Sequence, residues 1–291
     1  MVQRRIITGC FMGAAFVLVA NYLPPVGVWV LLAAVSCLAQ IEFYSMVTEG
    51  GIPVFRILGL VCGVALISAT FATMGLDAEN LARAYRWEHL VLLGSLIAVF
   101  LRQFPQKRND QPLATIAFTL LGIWYVPYLF NYFTRLALGW DAATCGPRVG
   151  GTGRMLVLYL VVVVKCSDIT AYFAGSWIGR HKLFPRVSPQ KTWEGLLAGM
   201  IAAVTASLCF WFFNGGRLGS VPFPWGHAVV VGCLLAAAAA VGDIFESLLK
   251  RACGSKDSGS AIPGMGGFLD ILDSLLFGAP LLYTYVKLFL S

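Results

Sequence analysis

The sequence predicts an all-α integral membrane protein, a polytopic bundle of about nine transmembrane helices. Three observations carry that prediction. Of 291 residues, 58% are apolar and 12% are charged, whereas a typical soluble domain carries about 25% charged residues. Mean hydropathy is +0.78. Apolar runs near the ~20 residues that cross a bilayer as a helix recur along the whole chain. So few charges could not cover a water-soluble globule, and the composition excludes a disordered or fibrous chain as well.

The first expected span, 6–23, follows Arg4 and Arg5. Its apolar run is longer than a signal-peptide core and no cleavage site follows, so a retained helix is expected. Pro24 and Pro25 separate it from 26–46, and Gly50, Gly51 and Pro53 stop that span before 54–75, as expected where helices end. The fourth, 89–103, is the shortest. Spans at 112–134, 155–179, 193–213, 226–250 and 270–289 complete the set. Two regions follow from this order: 1–150, a scaffold that could include a lipid portal, and 151–291, which holds the chemistry.

The formal charge is +7, from 21 Lys and Arg against 14 Asp and Glu. Membrane proteins collect Lys and Arg in cytoplasmic loops, and no Arg-rich tail or zinc-finger spacing points to nucleic acid as a partner. With the N-terminus inside, thirteen basic residues fall on cytosolic segments and seven on the opposite side, with Lys165 inside a span. That bias places the 180–191 and 250–269 loops on the cytosolic face of an inner or plasma membrane if the fourth span crosses; without that crossing, an N-in chain would put both loops outside. The eight cysteines form no CxxC pair, so neither a disulfide framework nor a thiolate metal site is expected.

Half of the acidic residues lie between 168 and 273: Asp168, Glu194, Asp243, Glu246, Asp257, Asp270 and Asp273. A charge at mid-membrane is costly, so such residues usually face a polar cavity and mark function. In 242–273, Asp243 and Glu246 share a helix face, with Ser247 one turn beyond Asp243 and Lys250 and Arg251 at the helix end. A Gly/Ser-rich loop then carries Lys256 and Asp257, where backbone N–H groups can approach phosphate. Asp270 and Asp273 open the last helix at i, i+3 spacing and point the same way. Carboxylates gathered without His or Cys suit a hard, oxygen-loving cation such as Mg²⁺, and the basic residues beside them suit a phosphate-rich ligand. The plainer alternative is an ion-pair ladder of Asp243, Glu246 and Lys250 along one helix.

A second cluster spans 165–195. Asp168 lies inside a span with Tyr172 one turn later, and Ala171, Gly175 and Gly179 form a small-residue stripe of the kind that packs helices closely. The loop that follows carries Arg180, His181 and Lys182, then Ser188, Lys191 and Thr192. Its cations and hydroxyls fit either anionic ligands or lipid head groups.

Together these residues resemble the phosphatidate cytidylyltransferases, the CDP-diacylglycerol synthases. The family's C-terminal signature maps from Ser247 to Asp273, taking in Leu249, Lys250, Arg251, Lys256, Asp257, Gly259, Ile262, Pro263, Gly266, Gly267, Phe268, Asp270 and Leu272. Ser188-Pro189, Lys191-Thr192 and Glu194-Gly195 resemble a second block. Two positions depart: Met265 stands where the family has His, and Ile271 where it has Arg between the two acids. Both changes remove a polar group near the expected phosphates and leave the carboxylates in place.

The resemblance implies that CTP and phosphatidate are converted to CDP-diacylglycerol and pyrophosphate, with membrane lipids around the site and a homodimer as the assembly. It implies a two-metal Mg²⁺ site with Asp243, Glu246, Asp270 and Asp273 as ligands. Lys250, Arg251, Lys256, Asp257 and Asp273 would serve the transfer. Asp168, Tyr172, Ser188, Lys191, Thr192 and Ser247 would bind substrate. Two other readings stay open at this point. One is a related CTP-dependent lipid enzyme, a CDP-archaeol-type synthase or a polyprenol kinase. The other is a cation-coupled transporter using the same intramembrane acids.

Overall fold

The computed structural model describes residues 24–74, 81–104, 109–140, 151–255, 258–259 and 266–290. Proline at its first position starts helix α1, Pro25–Glu49, where the missing N–H would have had no partner anyway. Helices α2 (Arg56–Met74), α3 (Leu81–Gln103) and α4 (Pro112–Leu138) follow. Then come α5 (Gly151–Trp177), α6 (Trp193–Phe213), α7 (Trp225–Ala252) and α8 (Phe268–Phe289). Among the described residues, seven of these eight are long and apolar enough to cross a membrane. The exception is α3, the fourth expected span, which carries Arg86, Glu88 and Arg102. The expected span 6–23 lies outside the described residues.

Two short hairpins interrupt the helices. Strands β1 (Lys182–Phe184) and β2 (Ser188–Thr192) pair antiparallel, with Lys182 opposite Thr192 and Phe184 opposite Ser188. Strands β3 (Arg217–Leu218) and β4 (Val221–Pro222) pair likewise. The 180–191 segment read from the sequence as a loop is therefore an ordered ribbon between α5 and α6.

The chain divides into two compact units, residues 1–150 with 252–272, and residues 151–251 with 273–291. Within the first, Tyr44 of α1 lies between Gly59 of α2 and Gly122 of α4, where a Cβ at either glycine would overlap its ring. The Tyr44 hydroxyl donates to the Thr119 carbonyl at 2.9 Å, and Gln40 Nε2 donates to the Gly59 carbonyl at 3.0 Å. Buried polar groups need such partners in a membrane. Further along, α4 widens into a π turn over Trp124–Tyr128, around Pro127. Proline lacks the N–H that would close an α-turn, and its ring crowds the preceding carbonyl.

Beyond that turn, Arg135 of α4 pairs with Glu88 of α3. Its Nε donates to Glu88 Oε1 at 3.1 Å and its Nη2 donates to Oε2, while Asn131 Nδ2 reaches Oε1 at 3.2 Å and the Thr70 hydroxyl also bonds to that carboxylate. The guanidinium lies 4.6 Å from the Tyr85 ring centre and 4.5 Å from that of Tyr132. Arg135 follows directly on the expected span 112–134, yet it is 4% exposed. It is part of the packing.

In the second unit, the small-residue stripe does what its spacing predicts. Gly195 and Gly199 of α6 face Ala171 and Ser167 of α5, and Gly175 faces Thr192, so the two helices meet nearly backbone to backbone. Thr192 caps α6, its Oγ1 accepting from the Gly195 N–H at 3.2 Å, which satisfies one of the helix's unpaired donors. Tyr159 of α5 and Ser207 of α6 share a 2.7 Å hydrogen bond, and the Ser207 hydroxyl is 2.6 Å from the Ala228 carbonyl of α7.

Candidate active site

The second unit gathers carboxylates and lysines from four elements. Helix α7 contributes Asp243, Glu246 and Lys250, α5 contributes Lys165 and Asp168, β2 contributes Lys191, and α8 contributes Asp273 and Ser274. The hairpin reaches α7 through Lys191, whose Nζ is 3.0 Å from Asp243 Oδ2. One turn on, Lys250 Nζ donates to Glu246 Oε2 at 2.8 Å. The ladder read along α7 is thus half realised: its Glu246–Lys250 rung forms, while Asp243 turns to the hairpin.

Asp273 is 7% exposed and Glu246 2%. The Asp273 carboxyl lies within hydrogen-bonding reach of Asp243 and within electrostatic range of Glu246 and Lys165. The approach of α7 to α8 that permits this depends on Gly242, where a Cβ would run into the backbone of Asp273. On the α5 side, Lys165 Nζ donates to Asp168 Oδ2 and to Ser274 Oγ, both at 3.1 Å, and the Ser274 hydroxyl donates to Asp168 Oδ2 at 2.9 Å. The Ser274 N–H is held by Asp273 Oδ1 at 2.6 Å. Four carboxylates and three ammonium groups interleave.

Among the described residues, no group of three or more His, Cys, Asp or Glu is drawn together closely enough to hold a metal ion unaided. The donor set nevertheless suits a hard cation in kind, being carboxylate oxygen throughout. Asp243 and Asp273 bring carboxylate oxygens from two helices to one place, which is the kind of donor such a cation takes.

Other expected residues stand elsewhere. Tyr172 is 57% exposed, with its ring against Phe173. Ser188 is part-buried opposite Phe184 in the hairpin, and Thr192 is buried as a helix cap. Ser247 is part-buried on α7 and Arg251 is exposed at its end. Lys256, Asp257 and Met265 lie outside the described residues. Asp270 belongs to the first unit, where its Oδ2 accepts from the Gly267 N–H at 2.7 Å.

Two participants, and one long-range contact within the first unit, escaped the sequence reading. Lys165 was seen only as a charge within a span, although its i, i+3 relation to Asp168 was a usable signal. Ser274 follows Asp273 directly and drew no notice. Glu42 of α1 accepts from the Leu269 N–H at 2.9 Å, and a Cβ at Gly259 or Gly267 would crowd its carboxylate. Nothing local in the sequence announces a partner so far along the chain.

Comparison with known proteins follows the same lines. A phosphatidate cytidylyltransferase of Synechocystis sp. is 31% identical over 288 residues, covering 91% of this chain and 90% of that protein. One from Brucella abortus is 42% identical over 249 residues, covering 81% and 85%. One from Bacillus subtilis is 27% identical over 290 residues, covering 99% and 98%. Residues 3–289 match the pattern of one family nearly end to end. The chain belongs to the cytidylyltransferase family.

Proposed function

We propose that this chain is a phosphatidate cytidylyltransferase. The lipid phosphate oxygen forms a bond to the α-phosphorus of CTP, the α–β phosphoanhydride bond breaks, and pyrophosphate leaves with the electron pair. The observation that carries the reading is the interleaving of Asp168, Asp243, Glu246 and Asp273 with Lys165, Lys191 and Lys250 in a chain of this family. A phosphate monoester is already anionic near neutral pH, so no imidazole base is required. The obstacle is repulsion between two anions and charge building on the leaving group.

In this reading Asp243 and Asp273 would contribute carboxylate oxygens to Mg²⁺, with Glu246 beside them, and the ion would supply positive charge to phosphate oxygens. Lys191 and Lys250 bind phosphate from the hairpin and the α7 end. They arrive already paired with Asp243 and Glu246, so an incoming triphosphate exchanges one anion for another on each ammonium. Asp168 and Ser274 fix the opposite wall. Ser188, Thr192, Ser247, Tyr172, Arg251, Lys256, Asp257 and Asp270 keep the roles implied by the resemblance. The homodimer belongs to the same proposal, with cross-linking in native membranes as its check.

The deciding assay follows pyrophosphate release by the purified full chain with CTP, Mg²⁺ and defined phosphatidate. Release that requires all three supports the assignment. Release with another lipid acceptor in place of phosphatidate would move it to a related CTP-dependent enzyme. Cytosolic placement of the site belongs to the same proposal: the basic-residue bias favours it where α3 crosses the membrane, and labelling Arg186→Cys, an exposed hairpin position, from each side of sealed vesicles tests it.

A further inference from the structure

Lys165 sits in the middle of a membrane-spanning helix, and an ammonium there requires a reason. It is part-buried, and Asp168 lies one turn away on the same helix, which alone would make an ordinary intrahelical pair. The geometry goes further. Its Nζ also donates to the Ser274 hydroxyl at 3.1 Å, that hydroxyl passes on to Asp168 at 2.9 Å, and the Ser274 N–H binds Asp273 at 2.6 Å. Asp273 and Asp243 are also within electrostatic range of the ammonium. Between Asp270 and Asp273 the sequence carries Ile271 and Leu272, neither of them charged.

We infer that Lys165 is a positioning residue: from α5 it orients Asp168 and Ser274 and supplies the positive charge that balances the Asp243–Asp273 carboxyl pair. The inference rests on the assignment of Asp243 and Asp273 as the cation-holding pair. It has a signature that mere structural support lacks. Removing one positive charge beside the acids strengthens attraction for a divalent cation and weakens attraction for a polyanionic nucleotide, so the two affinities move in opposite directions.

The test compares the detergent-purified full chain with Lys165→Met, Lys165→Arg and Ser274→Ala. Magnesium affinity is read without turnover, from the Mg²⁺ concentration that gives half-maximal thermal stabilisation, and nucleotide affinity from KM for CTP. In Lys165→Met the Mg²⁺ midpoint falls and KM for CTP rises, each on the order of tenfold. Lys165→Arg restores both. Ser274→Ala retains the ammonium, so it lowers kcat while its Mg²⁺ midpoint stays within roughly twofold of wild type. Unchanged midpoint and KM in Lys165→Met would overturn the inference, as would activity lost in parallel with melting temperature at a constant midpoint. Wild-type protein that releases no pyrophosphate with phosphatidate would overturn the assigned reaction instead. The melting midpoints would then still decide for or against Lys165.

Discussion

Glu42 of α1 accepts a hydrogen bond from the backbone N–H of Leu269, in the first turn of α8, at 2.9 Å. The partners stand 227 positions apart in sequence. The first N–H groups of a helix have no partner within it, and a carboxylate there also meets the positive end of the helix dipole. Glu42→Ala should lower stability by roughly 1–3 kcal/mol. Glu42→Gln, which keeps an acceptor oxygen, should lose clearly less. Melting curves in detergent decide it, and equal losses from both variants would count against the cap.

Asp243 is engaged by Lys191 from the hairpin and faces Asp273 across the α7–α8 contact. Asp243→Asn should reduce Mg²⁺-dependent pyrophosphate release by about a hundredfold or more, with the protein still folded in the membrane. Lys191→Met should chiefly raise KM for CTP. Full activity in Asp243→Asn would remove that residue from the site.

The Glu88–Arg135 pair is enclosed and hydrogen-bonded from several sides. Breaking such a pair leaves an uncompensated charge, at about 3–5 kcal/mol, whereas replacing both partners with apolar residues removes most of that penalty. Glu88→Leu should therefore destabilise strongly, and Glu88→Leu with Arg135→Met should melt nearer to wild type. Thermal denaturation of the single and double variants checks the sign of the coupling.

Gly195 brings α6 against α5 so closely that an added Cβ would lie 2.7 Å from the Ala171 carbonyl oxygen. Backbone cannot give way as a flexible side chain can. Gly195→Ala should cost about 1–3 kcal/mol through overpacking, read as a lower melting temperature. Gly226→Ala, with nothing within 4 Å of its added Cβ, is the control and should melt as wild type does.

What the sequence made legible were features whose signal is local. Apolar runs marked α1, α2 and α4–α8, the Gly stripe marked the α5–α6 contact, and i, i+4 spacing marked Glu246–Lys250. Carboxylates within spans drew attention to Asp168, Asp243 and Asp273 because burying them demands compensation. The compensation itself was not legible. Lys191 to Asp243 and Lys165 to Ser274 join separate elements, and pattern along one helix says nothing about which neighbour supplies the counter-charge. The β1–β2 hairpin was missed for a different reason: strands of three and five residues, polar and interrupted by Pro189, carry no alternation long enough to read.

The widened turn around Pro127 sets the phase of everything after it in α4. A π turn accommodates one residue more than an α turn, and each residue advances an α-helix by about 100°. Winding Trp124–Tyr128 into a regular α turn without removing a residue would swing Asn131 and Arg135 round by about that angle, away from Glu88 and Thr70, whereas deleting one residue from the turn would leave their phase unchanged. The irregularity works as a spacer: it dials the polar edge of the helix onto its partners, and a perfectly regular coil of the same sequence would turn the arginine away from its carboxylate.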